Sequence, residues 1–164
     1  MPLTDKTERD APAVAGAPTV YVVEDDPANR DLFDELCTMV GLRIKTYSNA
    51  RQFLADPPPV GLGCIVLDIR MPGMSGLELQ SELTKRGIEL PIIFVTAHGE
   101  TNLAVRAMKE GAFDFIEKPF DNDSMMRCIR NALSRAEEVA EDAARRAEIQ
   151  YRLNRLIDRL KDTD

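Results

Sequence analysis

Three acids in a row, Glu24-Asp25-Asp26, a lone Asp68, a hydroxyl at Thr96 and an ammonium at Lys118 are the side chains that could do chemistry together, if the fold brings them together. Each stands just after a short apolar run, near positions 19–23, 64–67, 90–95 and 112–116. Clustered carboxylates repel one another unless a cation sits among them, and a hard divalent ion with oxygen ligands, Mg2+, suits such a set. Metal and lysine together would neutralise a phosphoryl group in transfer, and the hydroxyl would donate to one of its oxygens. Asp68 would then act as nucleophile and form an aspartyl phosphate. Taken singly, each residue has a plainer role: Asp68 as a cap or loop carboxylate, and the acidic triplet as a solvated turn.

The elements that must position these groups follow from the apolar pattern. Cys64-Ile65-Val66-Leu67 runs straight into Asp68, and the turn Met71-Pro72-Gly73-Met74-Ser75-Gly76 follows, so the carboxylate stands at the C-terminal end of a buried strand. Open α/β sheets keep their chemistry at that edge. Residues 19–23 form an unbroken β-branched and aromatic run, as expected of a central parallel strand. Asp26 can cap and Pro27 can start a helix with an apolar face of Leu32, Phe33, Leu36, Cys37 and Val40, stopped by Gly41. Residues 42–47 alternate like an edge strand. Ser48 or Asn49 caps a short helix that ends at Pro57-Pro58-Pro59. A helix from Ser75 carries Leu77, Leu79 and Leu83 and stops at Gly87. Residues 90–97 form another buried strand. A weakly apolar helix over about 100–110 bears Leu103, Val105 and Met108, and a last strand over 112–117 delivers Lys118. Five alternations of strand and helix predict a doubly wound parallel sheet with right-handed crossovers. Its shared edge would hold Glu24, Asp25, Asp68, Thr96 and Lys118.

Composition narrows the function classes. A net charge of -7 over 164 residues argues against a strongly nucleic-acid-binding surface, which needs clustered Lys and Arg. Cys37, Cys64 and Cys128 are widely spaced, odd in number and without a Cys-x-x-Cys, as expected in a reducing cytoplasm. No apolar run is long enough to span a membrane, and the polar, proline-bearing residues 1–18 read as a disordered leader.

Taken together, these motifs resemble the receiver domains of two-component response regulators, over residues 19 to about 136. The resemblance is carried by the acidic pair after the first strand, by Asp68, Met71, Pro72, Met74 and Gly76 in an Asp-x-x-Met-Pro-x-Met-x-Gly pattern, by Thr96-Ala97, and by Lys118-Pro119-Phe120. It implies a flavodoxin-like (βα)5 fold and a domain that is charged by a histidine kinase and is not itself an enzyme, beyond catalysing its own phosphorylation and dephosphorylation. By the resemblance Asp68 is the phospho-acceptor, and Glu24, Asp25, Asp68 and the backbone carbonyl of Arg70 hold Mg2+. Thr96 and Phe115 are the switch pair, Lys118 contacts the phosphoryl group, and the bond before Pro119 is cis. Two positions depart from the commonest pattern: Glu24 replaces an aspartate, and Phe115 lacks a tyrosine hydroxyl. Arg70 and His98 each sit two residues beyond a key residue, where family members tune phosphoryl lifetime.

The remaining chain is expected to be helix. Asp121 or Asn122 caps a segment with Met125, Met126, Ile129 and Leu133 toward the core, and no glycine or proline interrupts residues 134–161. A thin stripe through Ala136, Ala140, Ala143 and Ala147 passes into a bulkier one of Ile149, Leu153, Leu156, Ile157 and Leu160, coiled-coil-like in spacing. Residues 137–164 thus read as a helical linker or coiled-coil extension of a FixJ/LuxR-type receiver without its DNA-binding domain. Any DNA contact would fall to an output domain absent from this sequence. The resemblance implies a homodimer through the fourth helix, fifth strand and fifth helix, which the extension could lengthen. Other readings are a receiver-like interaction module that acts through this helix with phosphorylation minor or lost, an aspartyl-phosphate phosphatase of the haloacid dehalogenase type, and a flavodoxin-like cofactor binder. Arg70 stands where the phosphatase needs an acid, and Glu24-Asp25-Asp26 would repel a cofactor phosphate.

Overall fold

The computed structural model describes residues 17–56 and 62–162. Five strands form one parallel sheet: β1 (Thr19–Val23), β2 (Arg43–Tyr47), β3 (Gly63–Asp68), β4 (Ile92–Thr96) and β5 (Asp114–Glu117), in the order β2-β1-β3-β4-β5. Between them run α1 (Pro27–Met39), α2 (Ala50–Ala55), α3 (Gly76–Lys85) and α4 (Thr101–Lys109), and α5 (Asn122–Asp162) follows β5. This is the flavodoxin-like doubly wound architecture that the alternation of strands and helices predicts. Register pairs Val23 with Leu67, Asp68 with Val95 and Thr96 with Glu117, so the C-terminal ends of β1, β3, β4 and β5 are neighbours.

The period-2 alternation of the strands splits the core in two. Tyr21, Val23, Ile65, Leu67 and Phe94 face Phe53 of α2, Leu79 and Leu83 of α3 and Ala107 of α4. Val20, Val22, Cys64, Val66, Ile93 and Val95 face Phe33 and Cys37 of α1 and Met125, Ile129, Ala132 and Leu133 of α5. Because both faces are covered, β1, β3 and β4 are buried at every position, which is why they read as unbroken apolar runs. At the sheet's edges, β2 and β5 are only partly buried.

The caps carry the turns at the functional edge. The Asp26 carboxylate accepts from Ala28 N, with Pro27 opening α1, and Asn49 accepts from Gln52 N at the start of α2. Ser75 Oγ accepts from Glu78 N at the start of α3. Ahead of α5, Asp121 rather than Asn122 supplies the acceptors, to Asp123 N and Ser124 Oγ. The Lys118–Pro119 bond is cis.

The structure differs from the sequence reading in detail. Val40, expected on the apolar face of α1, lies past the helix end and is 42% exposed. On α4 the buried side chains are Ala104 and Ala107, with Leu103 packed partly against the same core, whereas Val105 and Met108 are exposed. β5 begins at Asp114; Ala112 and Phe113 approach it as a connector tied by Phe113 N to Ile92 O at 2.8 Å. The last buried residue of α5 is Ala136, and from there to residue 162 every side chain is exposed. Leader residues 1–16 and Pro57-Pro58-Pro59 lie outside the described residues. Among the described residues no helix is long and apolar enough to cross a membrane.

Candidate functional site

Four loops at the carboxyl edge of the sheet deliver the groups picked out in the sequence. Glu24 and Asp25 follow β1, and Asp68 ends β3. One carboxylate oxygen from each of the three lies within 4.8 Å of the others. Glu24 and Asp68 are buried at 3% and 8% exposure while Asp25 is exposed, so the cluster has a floor of two carboxylates and an open side. Lys118 Nζ, from the loop after β5, stands 3.3 Å from Asp68 Oδ2 and 3.5 Å from Glu24 Oε1.

Around these atoms the backbone and two residues of α1 complete the setting. Arg70 N donates to Asp68 Oδ1 at 3.1 Å, so both carboxylate oxygens of Asp68 have a donor. Asn29 Nδ2 donates to Glu24 Oε1 at 2.6 Å, and the Arg30 guanidinium donates to the carbonyls of Glu24 and Asp25 at 2.7 and 3.0 Å. Lys118 N donates to Thr96 O at 2.8 Å, which ties the last loop to the end of β4.

Gly76 is required where it is. Its N–H donates to Ile69 O at 2.8 Å, and a Cβ there would run into the Asp68 carbonyl oxygen and stand 2.9 Å from Ile69 Cα. The first residue of α3 therefore lies against the backbone that carries Asp68, an approach only glycine permits.

Electrostatics follow from this crowding. Burial, reinforced by the hydrogen bond and the like charge of Asp68, pushes the Glu24 carboxyl up to about 7, against the pull of Asn29 and Lys118. Burial pulls the Lys118 ammonium down, but Asp68 and Glu24 together outweigh it and hold the group above its ordinary value. In the metal-free protein burial and the Asp68 carboxylate thus compete with Asn29 and Lys118 over the charge on Glu24. A divalent cation among Glu24, Asp25 and Asp68 would relieve that competition, and the all-oxygen donor set suits Mg2+.

Thr96 is 1% exposed, and its Oγ1 has no hydrogen-bond partner. Phe115 is half-buried and packs at the margin of the core cluster that contains Phe94, its partner in the ladder. His98 Nδ1 stands 3.3 Å from Glu117 Oε2, both side chains being solvent-accessible. The Arg70 side chain reaches across to Glu100, its Nε donating to Glu100 Oε1.

Sequence reasoning named Glu24, Asp25, Asp68 and Lys118, which the fold brings together, and Thr96, whose carbonyl is tied to Lys118 N; Phe115 packs at the margin of the core, and the Arg70 side chain turns to Glu100. Asn29, Arg30 and Glu100 were missed. For Asn29 and Arg30 a usable signal existed: polar residues in the first turn of a helix that starts beside clustered acids point back at them.

A family model described as the response regulator receiver domain matches residues 20–130. The response regulator protein TmoT of Ectopseudomonas mendocina is 42% identical over 130 residues, covering 79% of this chain and 59% of that protein. The transcriptional regulatory protein FixJ of Azorhizobium caulinodans is 42% identical over 140 residues, covering 85% of this chain and 66% of FixJ. The chain therefore spans 59% and 66% of the length of these two relatives. Among solved structures, the response regulator StyR superposes with a TM-score of 0.78 at 39% identity, covering 82% of this chain and 68% of StyR. The crystal structure of FixJ-N gives a TM-score of 0.67 at 42% identity, covering 71% of this chain and 93% of that one. A five-stranded parallel sheet with its acids gathered at the carboxyl edge, together with these matches, places this chain in the receiver domain family of two-component response regulators.

Proposed function

We propose that this chain is a phosphorylation-controlled switch in which Asp68 accepts a phosphoryl group from the phosphohistidine of a histidine kinase. The observation that carries the reading is the setting of the Asp68 carboxylate: buried, with Lys118 Nζ on one oxygen, the Arg70 amide on the other, and two further acids converging beside it. One Asp68 oxygen attacks phosphorus as the P–N bond of the phosphohistidine breaks, and the departing imidazole takes up a proton. Lys118 stays within reach of the phosphoryl oxygens and offsets their charge. A Mg2+ ion held by Glu24, Asp25, Asp68 and the backbone carbonyl of Arg70 supplies further positive charge there when bound. The unpartnered Thr96 hydroxyl gains an acceptor once the phosphoryl group is in place, and the half-buried Phe115 ring follows it inward. The domain acts on itself and turns over no external substrate.

Acetyl phosphate with Mg2+ is expected to add one phosphoryl group, read by intact mass and by hydroxylamine lability, and Asp68→Asn to abolish it. Undiminished labelling of that variant would sink the assignment. The free, buried thiols of Cys37, Cys64 and Cys128 accord with a cytoplasmic setting.

Output is proposed to pass to a second copy of the chain. Val105 and Met108 on α4 and the stripe Ile149, Leu153, Leu156, Ile157 and Leu160 on α5 are exposed, and a helix with an uncovered apolar stripe is marginal in water. A homodimer through α4, β5 and α5, lengthened by the extension, covers both. Light scattering with and without beryllofluoride tests this. A monomer in both states, unchanged when residues after Ala136 are deleted, refutes it. The same stripe supports a second reading, an interaction module working through α5 with phosphorylation minor or lost; the Asp68→Asn experiment separates the two.

A further inference from the structure

Arg70 and Glu100 tie the loop after β3 to the loop after β4. The Arg70 amide is fixed on Asp68 Oδ1, but its guanidinium is spent on Glu100, at the N-terminal boundary of α4. Glu100 makes no side-chain capping bond to its own helix, although its backbone carbonyl accepts from Leu103 N and Ala104 N in the first turn. Its carboxylate is 17% exposed, against 71% for the Arg70 side chain, and its second oxygen, Oε2, is buried without a partner. One partner of this pair is therefore free to swing, while the other is left in a poorly solvated place whenever Arg70 departs.

We propose that Glu100 is an internal competitor for Arg70: in the resting protein it holds the guanidinium, a phosphoryl group on Asp68 takes it over, and the released Glu100 frees the N-terminal turn of α4. The proposal rests on Asp68 being the phosphoryl acceptor. A phosphoryl group on Asp68 carries close to two negative charges in place of the carboxylate's one, with three acceptor oxygens two residues from Arg70, and a guanidinium fork matches such oxygens better than it matches one carboxylate oxygen. With Arg70 withdrawn, Glu100 keeps a half-buried carboxylate with no donor, so it must turn toward solvent, and the carbonyl that anchors Leu103 and Ala104 moves with it. The Thr96 hydroxyl, at the other end of the same four-residue connection, draws that loop toward the phosphoryl group, so the two devices act on one segment. Glu100 is thus a positioning residue that sets how strongly the phosphoryl group must bind before α4 responds.

Reciprocity of coupling makes this measurable. Removing the competitor must tighten binding of a phosphoryl mimic. Beryllofluoride with Mg2+, titrated by calorimetry on the full chain, is expected to bind Glu100→Gln roughly two- to five-fold more tightly than the parent, the span given by an exposed to partly exposed ion pair. In the Arg70→Met background the same change is expected to do nothing. Amide exchange of residues 101–104 in metal-free Glu100→Gln should already match that of the beryllofluoride-bound parent. If Glu100→Gln does not fold, Glu100→Asp, which shortens the reach while keeping the charge, takes its place. Equal or weaker binding by the Glu100 variant, or an equal gain in the Arg70→Met background, overturns the proposal. A parent chain that binds no beryllofluoride at all would instead overturn the acceptor role of Asp68.

Discussion

Glu24→Gln isolates what the crowded acids do to the metal-free protein. Glu24 is 3% exposed, and burial beside Asp68 raises its carboxyl from the ordinary 4.5 to about 7. For an acid whose folded value lies above its unfolded one, the unfolded chain gives up its proton first. Stability is therefore complete below about pH 4.5 and is lost as pH rises through about 7. At about 1.4 kcal/mol per unit, that shift removes about 3 kcal/mol in all, of which about 2 to 3 kcal/mol falls between pH 5 and pH 8. Glutamine keeps the size and an oxygen for Asn29 Nδ2, can donate to Asp68, and cannot ionise. Expressed as a melting temperature, the parent should lose about 4 to 12 °C relative to the variant between those pH values. Urea denaturation at pH 5 and pH 8, in chelator, reads the same difference without the heat capacity. Saturating Mg2+ at pH 8 should restore most of the parent's stability and do little for the variant, since only the parent gains a neutralising ligand. Parallel pH dependences for the two proteins, or a variant less stable than the parent at pH 8, would show that Glu24 does not carry the strain assigned to it.

Three further outcomes follow from particular contacts. Gly76→Ala puts a methyl group against the Asp68 carbonyl and Ile69 Cα, so it should cost about 1 to 3 kcal/mol and, because the displaced backbone carries the acceptor, slow labelling by acetyl phosphate as well; unfolding curves and mass spectrometry check the pair of effects. Thr96→Ala deletes a buried hydroxyl that has no partner in the resting state, so metal-free stability should stay within about 1 kcal/mol while beryllofluoride affinity falls at least several-fold. Burial pushes the Cys37 and Cys128 thiols up to about 12 and Cys64 higher still, so none should react with iodoacetamide at pH 8 until urea unfolds the domain, when all three should.

The fold was legible because its strands are buried on both faces, and the groups at the functional edge because each ends such a strand: Asp68 directly follows Cys64-Ile65-Val66-Leu67, and Glu24 directly follows Val23. Helix starts were legible where a cap residue leads straight into the helix, as at Asp26 before Pro27 and Ser75 before Gly76. What periodicity does not encode is how deep each side chain sits. Glu24 and Asp25 are adjacent and chemically alike, yet the end of the strand turns one into the core and leaves the other exposed, and burial raises the Glu24 carboxyl. The helix read as weakly apolar, with Leu103, Val105 and Met108, buries Ala104 and Ala107 instead, while Val105 and Met108 are exposed. The Arg70–Glu100 tie joins residues 30 apart through a side chain with several rotatable bonds, and nothing local announces it.

The long last helix has a mechanical side. Its base packs against α1 and the sheet through Met125, Ile129, Ala132 and Leu133, whereas residues 137–162, all exposed, run on beyond Ala136 for about 40 Å at 1.5 Å per residue. A helix held at one end, once its stripe is covered, magnifies rotation: a tilt of about 10° at the base carries the far tip through about 7 Å, more than one helical pitch. Rearrangements near Phe115 and Lys118 too small to remodel the sheet could in this way become displacements large enough to bring two such rods into register or to part them.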